Sequence, residues 1–225
     1  MSDEDALLAA INANPDDDTP RLVYADWLDE NGQPEWAEFI RLQCGVGLDD
    51  TLRSRATELE VRHRSDWLQW FPQRAGAEWE FRRGFPEVLR VPGAVFLAGA
   101  GFFVPVRWVR CLCLRDMLDQ TVVDFTRQHW SSRWTELELQ EHPGARALSD
   151  THDATRAIRA IAECPAMANI RRLQLSRFEV TPDGISALTS SSHLDALQYL
   201  GLNGDPNASY FAPLRERFGE RLVIG

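Results

Sequence analysis

The chain has 225 residues, of which 44% are hydrophobic and 26% charged, a composition typical of a soluble protein that can bury a substantial core. Its net charge of −10 is concentrated near the start, where residues 1–50 hold thirteen acidic residues against two arginines. Such a negative segment repels phosphate and anionic lipid at long range. The composition therefore argues against a general nucleic-acid-binding or membrane-surface protein.

The cysteines and the hydropathy pattern predict a cytoplasmic location. Cys44, Cys111, Cys113 and Cys164 form no C-x-x-C pair, and the acidic start of the chain does not resemble a secretory signal. The longest uncharged run, 91–106, contains two prolines and three glycines and is too short to span a bilayer. We therefore expect reduced thiols and no membrane-spanning segment.

Residues 1–47 are predicted to form a first domain of three short helices. Ser2 is suited to cap the first helix, and Thr19 to cap a second that has Pro20 at its first position. Gly32 is suited to end the second helix, and Pro34 to begin the third. Tyr24 and Trp27 are interpreted as core residues of this small unit rather than as a binding site.

Residues 48–84 are predicted to link this domain to the rest of the chain. Thr51 to Trp70 should form a longer helix, because apolar residues that include Trp67 and Trp70 recur near helical spacing. Gly45-Val46-Gly47 is read as the break before it. Residues 73–84 are predicted to be a connecting turn that ends at Arg82-Arg83-Gly84.

Residues 85–225 contain a short repeated pattern, apolar-x-x-Leu-x-Leu, which is typical of leucine-rich repeats. A weaker first copy, Pro86-x-x-Leu89-x-Val91, precedes four clear ones, and helix-like stretches lie between the copies at 93–102, 119–129, 151–162 and 183–190, with an insertion near 141–150. The four clear copies are Val109-x-x-Leu112-x-Leu114, Trp134-x-x-Leu137-x-Leu139, Ile170-x-x-Leu173-x-Leu175 and Leu197-x-x-Leu200-x-Leu202. The end of the chain, 218–224, should add a last short strand.

These patterns predict an α/β fold. A small N-terminal helical unit would pack on a short, irregular leucine-rich repeat solenoid, with parallel strands on the concave face and helices outside. One strand and one helix cannot bury their leucines alone, so stacked repeats would build the core together.

The first 43 residues also resemble a known family. The segments that carry the likeness are 5–11, 14–18, 20–32 (PRLVYADWLDENG) and 37–43 (AEFIRLQ), and they resemble the bacterial repeat-companion domain, which is named for occurring beside repeat arrays. The Arg83-Gly84-Phe85 step and the ending at 218–221 are similar to its usual leucine-rich partner. The resemblance implies the fold of the N-terminal unit and its association with leucine-rich repeats, and it assigns no catalytic residues or ligand. One departure is that an Asn follows the second Leu only at Asn203.

The repeat pattern also predicts a candidate binding site. Side chains alternate between the faces of a strand, so if the leucines point inward, their neighbours point to the concave surface. Cys111 and Cys113 would lie on that surface beside a mixed polar set, which we call the polar strip: Arg115, Glu136, Glu138, Gln140, Arg172, Gln174, Tyr199 and Asn203. The strip could pair charges with a protein partner and use Tyr199 as an anchor. Alternatively, Glu136 or Glu138 simply neutralises Arg172 on the adjacent strand.

No catalytic residue, metal or cofactor is predicted. The sequence holds no G-x-S-x-G, phosphate-binding glycine loop or H-E-x-x-H motif, and the adjacent His152-Asp153 does not define a catalytic pair. Cys111 and Cys113 would need His129 or His142 to complete a metal site, which is disfavoured. The Asp16–Asp18 run lacks the Gly and distal Glu of a calcium loop.

The sequence is therefore interpreted as a non-enzymatic protein-interaction module, an adaptor or recognition subunit that binds a protein through its concave face. Membrane binding is excluded, and no small-molecule substrate is indicated. One alternative is an enzyme or effector with an unrecognised site. Another is an arginine-dependent nucleic-acid binder, disfavoured by the net charge, that uses Arg82, Arg83, Arg107, Arg110 and Arg115.

Overall fold

The structure is a computed structural model that describes residues 2–45, 49–128, 134–145 and 154–225. The chain divides into two compact units, which are described separately below. The first comprises Met1–Pro72 and Trp79–Glu87, and the second comprises Gln73–Glu78 and Val88–Gly225. Residues 46–47 of the predicted break, His129, His152-Asp153 and the second half (146–150) of the predicted insertion at 141–150 fall outside the described residues.

Four helices build most of the first unit: α1 (Asp3–Ala13), α2 (Thr19–Glu30), α3 (Pro34–Cys44) and α4 (Asp50–Trp67). Ser2 caps α1 as predicted, because its hydroxyl accepts a hydrogen bond from the Asp5 N–H while the Asp5 carboxylate accepts one from the Ser2 N–H. The start of α2 differs from the prediction. Asp18, not Thr19, is the residue that precedes the helix, and Thr19 already lies within it.

Aromatic side chains form the core of the first unit. Tyr24, Phe39 and Phe85 are each at most 2% exposed, and the Trp67 ring stacks on that of Phe39 at 4.9 Å between ring centroids. The helix α4 ends at Trp67, earlier than predicted. Trp70 therefore lies beyond the helix and is 86% exposed, so its predicted place on the apolar face is wrong.

A strand replaces part of the connecting turn predicted for residues 73–84. Strand β1 (Glu78–Arg82) is separated by only two residues from β2 (Phe85–Pro92). The two residues between them, Arg83 and Gly84, have φ angles of +50° and +83°. Two successive residues with positive φ are typical of the tightest turns between neighbouring strands. They explain how the chain reverses direction within so short a segment.

The second unit contains the remaining strands and helices. In chain order they are α5 (Gly93–Ala98), α6 (Ala100–Phe103), β3 (Cys111–Met117), α7 (Asp119–Thr126), β4 (Glu136–Glu141), α8 (Thr155–Ala162), β5 (Arg172–Ser176), α9 (Pro182–Ser190), β6 (Tyr199–Leu202), α10 (Ala212–Phe218) and β7 (Leu222–Ile224). The strands β3 to β6 coincide with the four clear copies of the leucine pattern. The predicted last strand is present as β7.

The strands form one sheet in chain order, β1 to β7, and every pairing from β2 to β7 is parallel. The leucines of the repeated pattern stand in register, so that Leu112, Leu137, Leu173 and Leu200 form one continuous row, and each is at most 2% exposed. Neighbouring helices α7, α8 and α9 pack on one another. The α/β class and the parallel strands are therefore confirmed. No helix in the described ranges has the length and apolar character to cross a membrane.

Candidate interaction site on the parallel sheet

Strand register assembles most of the predicted polar strip. Glu136 pairs with Arg172, which in turn pairs with Tyr199, in one row across β4, β5 and β6. Glu138 and Gln174 form the next row, followed by Gln140 beside Ser176. Adjacent parallel strands lie about 4.8 Å apart, so neighbours within a row are within reach of one another. Five of the eight strip residues therefore share one small area on β4 and β5.

One part of this area is a stack of side chains on β5 and β6. The guanidinium carbon of Arg172 lies 3.6 Å from the centre of the Tyr199 ring, and the Tyr199 hydroxyl donates a 3.0 Å hydrogen bond to the Gln174 side-chain oxygen. Gly201 makes room for that amide, because a Cβ atom at this position would meet the Gln174 Oε1 at 2.0 Å. The stack holds Tyr199 half-buried and leaves Arg172 exposed.

A second group of contacts crosses β3. Arg90 on β2 and Glu138 on β4 form an ion pair at 3.5 Å, although β3 lies between their strands. The Cys113 thiol donates to the same Glu138 oxygen at 3.3 Å. Cys111 and Cys113 lie in the same strand rows as Glu136 and Glu138, as side-chain alternation predicts, but they are only 5% and 2% exposed because neighbouring side chains cover them. Their hydrogen bond to each other and burial raise the pKa of Cys113.

Two other strip residues are engaged in local structure. Arg115 forms an ion pair with Glu78 at 3.1 Å and donates to the Gly76 carbonyl at 2.9 Å. Asn203 accepts a hydrogen bond from the Arg177 N–H and donates one to the Gly225 carbonyl at 3.1 Å. This amide therefore ties the ends of β5 and β7 together, and its hydrogen-bonding groups serve the backbone.

Sequence reasoning missed Arg90 as a neighbour of this site. It lies between Leu89 and Val91 of the weak first copy, and the alternation rule that selected Glu138 would have selected it as well. The register Arg90–Cys113–Glu138 now places it in the same row.

A buried ion pair in the first unit was also missed. Arg21, 1% exposed, contacts Glu87 at 2.5 Å and donates to the carbonyls of Pro15 and Asp17. Glu87 also pairs with Arg83 at 3.2 Å. The sequence signal was an arginine at helical spacing from the buried Tyr24, on the apolar face of α2.

The arginines considered for nucleic-acid binding are largely neutralised. Arg82 pairs with Glu80 at 3.4 Å, Arg83 with Glu87, and Arg115 with Glu78. Three of the five candidates thus have acidic partners, which reduces the local positive potential that phosphate binding needs.

No metal site is formed by the described residues: no three of their His, Cys, Asp or Glu side chains are grouped suitably. His142, one of the two histidines considered beside the cysteines, instead accepts a hydrogen bond from the Gly144 N–H at 2.9 Å. The acidic residues 16–18 also have local roles, since Asp17 accepts from the Thr19 N–H and Asp18 lies 3.6 Å from Arg83.

Comparisons with known proteins add no relative: no family model matches the chain, and neither the curated proteins nor the solved structures include a significant match. The site is therefore interpreted from its own geometry.

Proposed function

We propose that this protein is an interaction module, an adaptor or recognition subunit without catalytic activity, which binds a protein partner through the polar strip. The observation that carries the proposal is the stack of Arg172 on Tyr199. A tyrosine held by its hydroxyl loses little conformational freedom on binding, and tyrosine and arginine are enriched among residues that dominate binding energy.

The surroundings of the stack suit a polar partner surface. Glu136 lies opposite the exposed Arg172 in the register of β4 and β5, and Gln140 is half-buried further along β4, beside Ser176, where its amide adds a polar group to the same face. A guanidinium stacked on an aromatic ring keeps the donors at its edge available for a carboxylate. We accordingly place the partner contact on β4, β5 and β6.

We also propose that the second unit is a short leucine-rich repeat array and that the first is a repeat-companion domain. Supporting the repeat assignment are the register of the leucine rows and the strand–helix alternation from β3 to β7. The Asn203 amide bridges the ends of β5 and β7, the strands on either side of β6, as asparagines do between turns of regular arrays of this kind. In this proposal the polar strip lies on the concave face.

The test compares matched variants as baits in a native lysate. One bait carries Arg172→Glu with Tyr199→Ala. Its control carries Arg156→Glu with Arg159→Glu, which reverses two arginines on α8 that are exposed and outside the strip. Circular dichroism and thermal unfolding first establish that both variants are folded.

The expected result is a protein that the wild type and the α8 variant retain and the strip variant loses. A protein retained equally by all three baits would contradict the strip as the binding face. A repeated failure of the wild type to retain any specific protein would contradict the adaptor function.

A further inference from the structure

Two cysteines on β3 form a close thiol pair. Cys111 and Cys113 are alternate residues of one strand, their Sγ atoms are 3.6 Å apart, and both belong to a buried cluster with Val88. A strand rises about 3.3 Å per residue, so the two Cα atoms should lie about 6.6 Å apart. That separation falls within the range that a disulfide can span, close to its upper limit of about 6.8 Å.

A charged pair lies next to these thiols. In register, Cys113 is flanked by Arg90 on β2 and Glu138 on β4, and the ion pair between them crosses β3 at this position. The side chains of Arg90 and Glu138 are 35% and 37% exposed, so the charged groups beside the enclosed Cys113 thiol are themselves in contact with solvent. Because Glu138 accepts the hydrogen bond from Cys113, a proton acceptor is already in place.

We propose that Cys111 and Cys113 are a redox-active dithiol that closes reversibly to an intrastrand disulfide, with Glu138 as the acceptor of the Cys113 proton. This proposal does not rest on the proposed partner binding, although Glu138 also belongs to the polar strip. The co-reactant is a low-molecular-weight disulfide of the glutathione class.

The exchange has two steps. The Cys111 thiolate attacks one sulfur of glutathione disulfide, which forms a mixed disulfide and releases one glutathione thiolate. Cys113 then gives its proton to Glu138, and its sulfur attacks the Cys111 sulfur and displaces the second glutathione thiolate. Two protein thiols are oxidised, one glutathione disulfide is reduced to two glutathione molecules, and the released thiolates take up the two protons.

Physical chemistry explains why the carboxylate matters and why the bond is reversible. The Cys113 pKa is raised, so the resting thiol stays protonated, and only the thiolate is nucleophilic. A neighbouring base therefore promotes the second step. A disulfide near the limit of its geometric range is strained and more easily reduced, so excess reduced glutathione should reopen it.

The test uses the unmodified protein. Folded protein is incubated with glutathione disulfide, quenched in acid and digested with trypsin, which releases residues 111–115 as a peptide with both cysteines and no other. The expected product is this peptide lighter by two hydrogen atoms, and reduced glutathione should restore its original mass. Cys44 and Cys164 lie in other peptides and report the general reactivity of the enclosed thiols.

Two outcomes would overturn the disulfide: a peptide that keeps both thiols while the protein stays folded, or one that accumulates glutathione adducts without closing. The role of Glu138 is tested by Glu138→Gln, which should slow closure of the mixed disulfide about tenfold. Glu220→Gln, which removes the same charge from an exposed residue outside the strip, should leave the rate unchanged. Equal closure rates in the two variants would overturn the assignment of Glu138 as proton acceptor.

Discussion

The buried ion pair between Arg21 and Glu87 should dominate the electrostatic contribution to stability in the first unit. Its side chains are 1% and 5% exposed, and they join residues 66 positions apart in the chain. Removing one partner of such a pair leaves an uncompensated buried charge, which costs about 3–5 kcal/mol. The test variants are Arg21→Met, Glu87→Gln and the double variant.

The remaining contacts decide how the two single variants differ. After Arg21→Met, Glu87 keeps its 3.2 Å ion pair with Arg83, so we expect a loss near the lower limit, about 3 kcal/mol. After Glu87→Gln, Arg21 loses its buried ion-pair partner and keeps the hydrogen bonds to the carbonyls of Pro15 and Asp17, so we expect about 4 kcal/mol. The double variant should lose less than the sum by at least about 1 kcal/mol, because it no longer contains the unpaired Arg21.

Urea unfolding followed by tryptophan fluorescence provides the assay, because Trp27, Trp36 and Trp67 belong to the first unit. Arg41→Met is the matched control: Arg41 is 38% exposed and pairs with Asp26 and Asp29, so its loss should cost less than about 1 kcal/mol. A loss below about 1 kcal/mol for Arg21→Met, or strict additivity in the double variant, would refute the reasoning.

Two further predictions concern local geometry, and both use urea unfolding of single variants. Gly84→Ala should cost at least about 2 kcal/mol, since Gly84 has φ +83° and a Cβ atom there would meet Ile40 Cγ1 at 2.2 Å; a neutral result would contradict this close packing. Asn203→Ala should cost about 1–2 kcal/mol because the Arg177 N–H and the Gly225 carbonyl lose their partner; partner binding reduced without any loss of stability would instead place Asn203 in the binding contact.

Local patterns in the sequence were sufficient to predict the central strands. Each leucine copy carries its own alternation, and the register of Leu112, Leu137, Leu173 and Leu200 follows from one strand per copy. The α1 cap was equally accessible, because Ser2 and Asp5 are three residues apart. These features depend on residues close together in the chain.

Features that depend on distant residues were not predicted. Strand β1 is an exception, because Glu78-Trp79-Glu80-Phe81-Arg82 alternates polar and apolar residues, a local signal that the prediction of a connecting turn overlooked. Its turn includes Arg83 in a backbone conformation that few non-glycine residues adopt. The partner of Arg21 lies 66 residues away, and the cover over Cys113 comes from strands on both sides. The local sequence marks the positions of Arg21 and Arg90, but it does not identify the distant partners that they contact.

The strip residues show what the alternation of side chains along a strand can and cannot predict. It assigned Arg172 and Tyr199 to one strip, and the register brings them side by side, but it could not distinguish exposed from enclosed positions in the same row, as Cys113 and Glu138 show. It also could not show that the Asn203 amide is used by the backbone. Alternation identifies a face, whereas exposure depends on which neighbouring side chains cover it.

Site-specific photocrosslinking can show whether a protein binds at the polar strip. A photoreactive residue replaces Gln140, which is half-buried within the strip, and in a parallel sample it replaces Arg156, which is exposed on α8. We expect one defined crosslinked protein from the position of Gln140, suppressed by Arg172→Glu, and none from the position of Arg156. The same crosslinked protein from both positions, or from the position of Arg156 alone, would contradict binding through the strip.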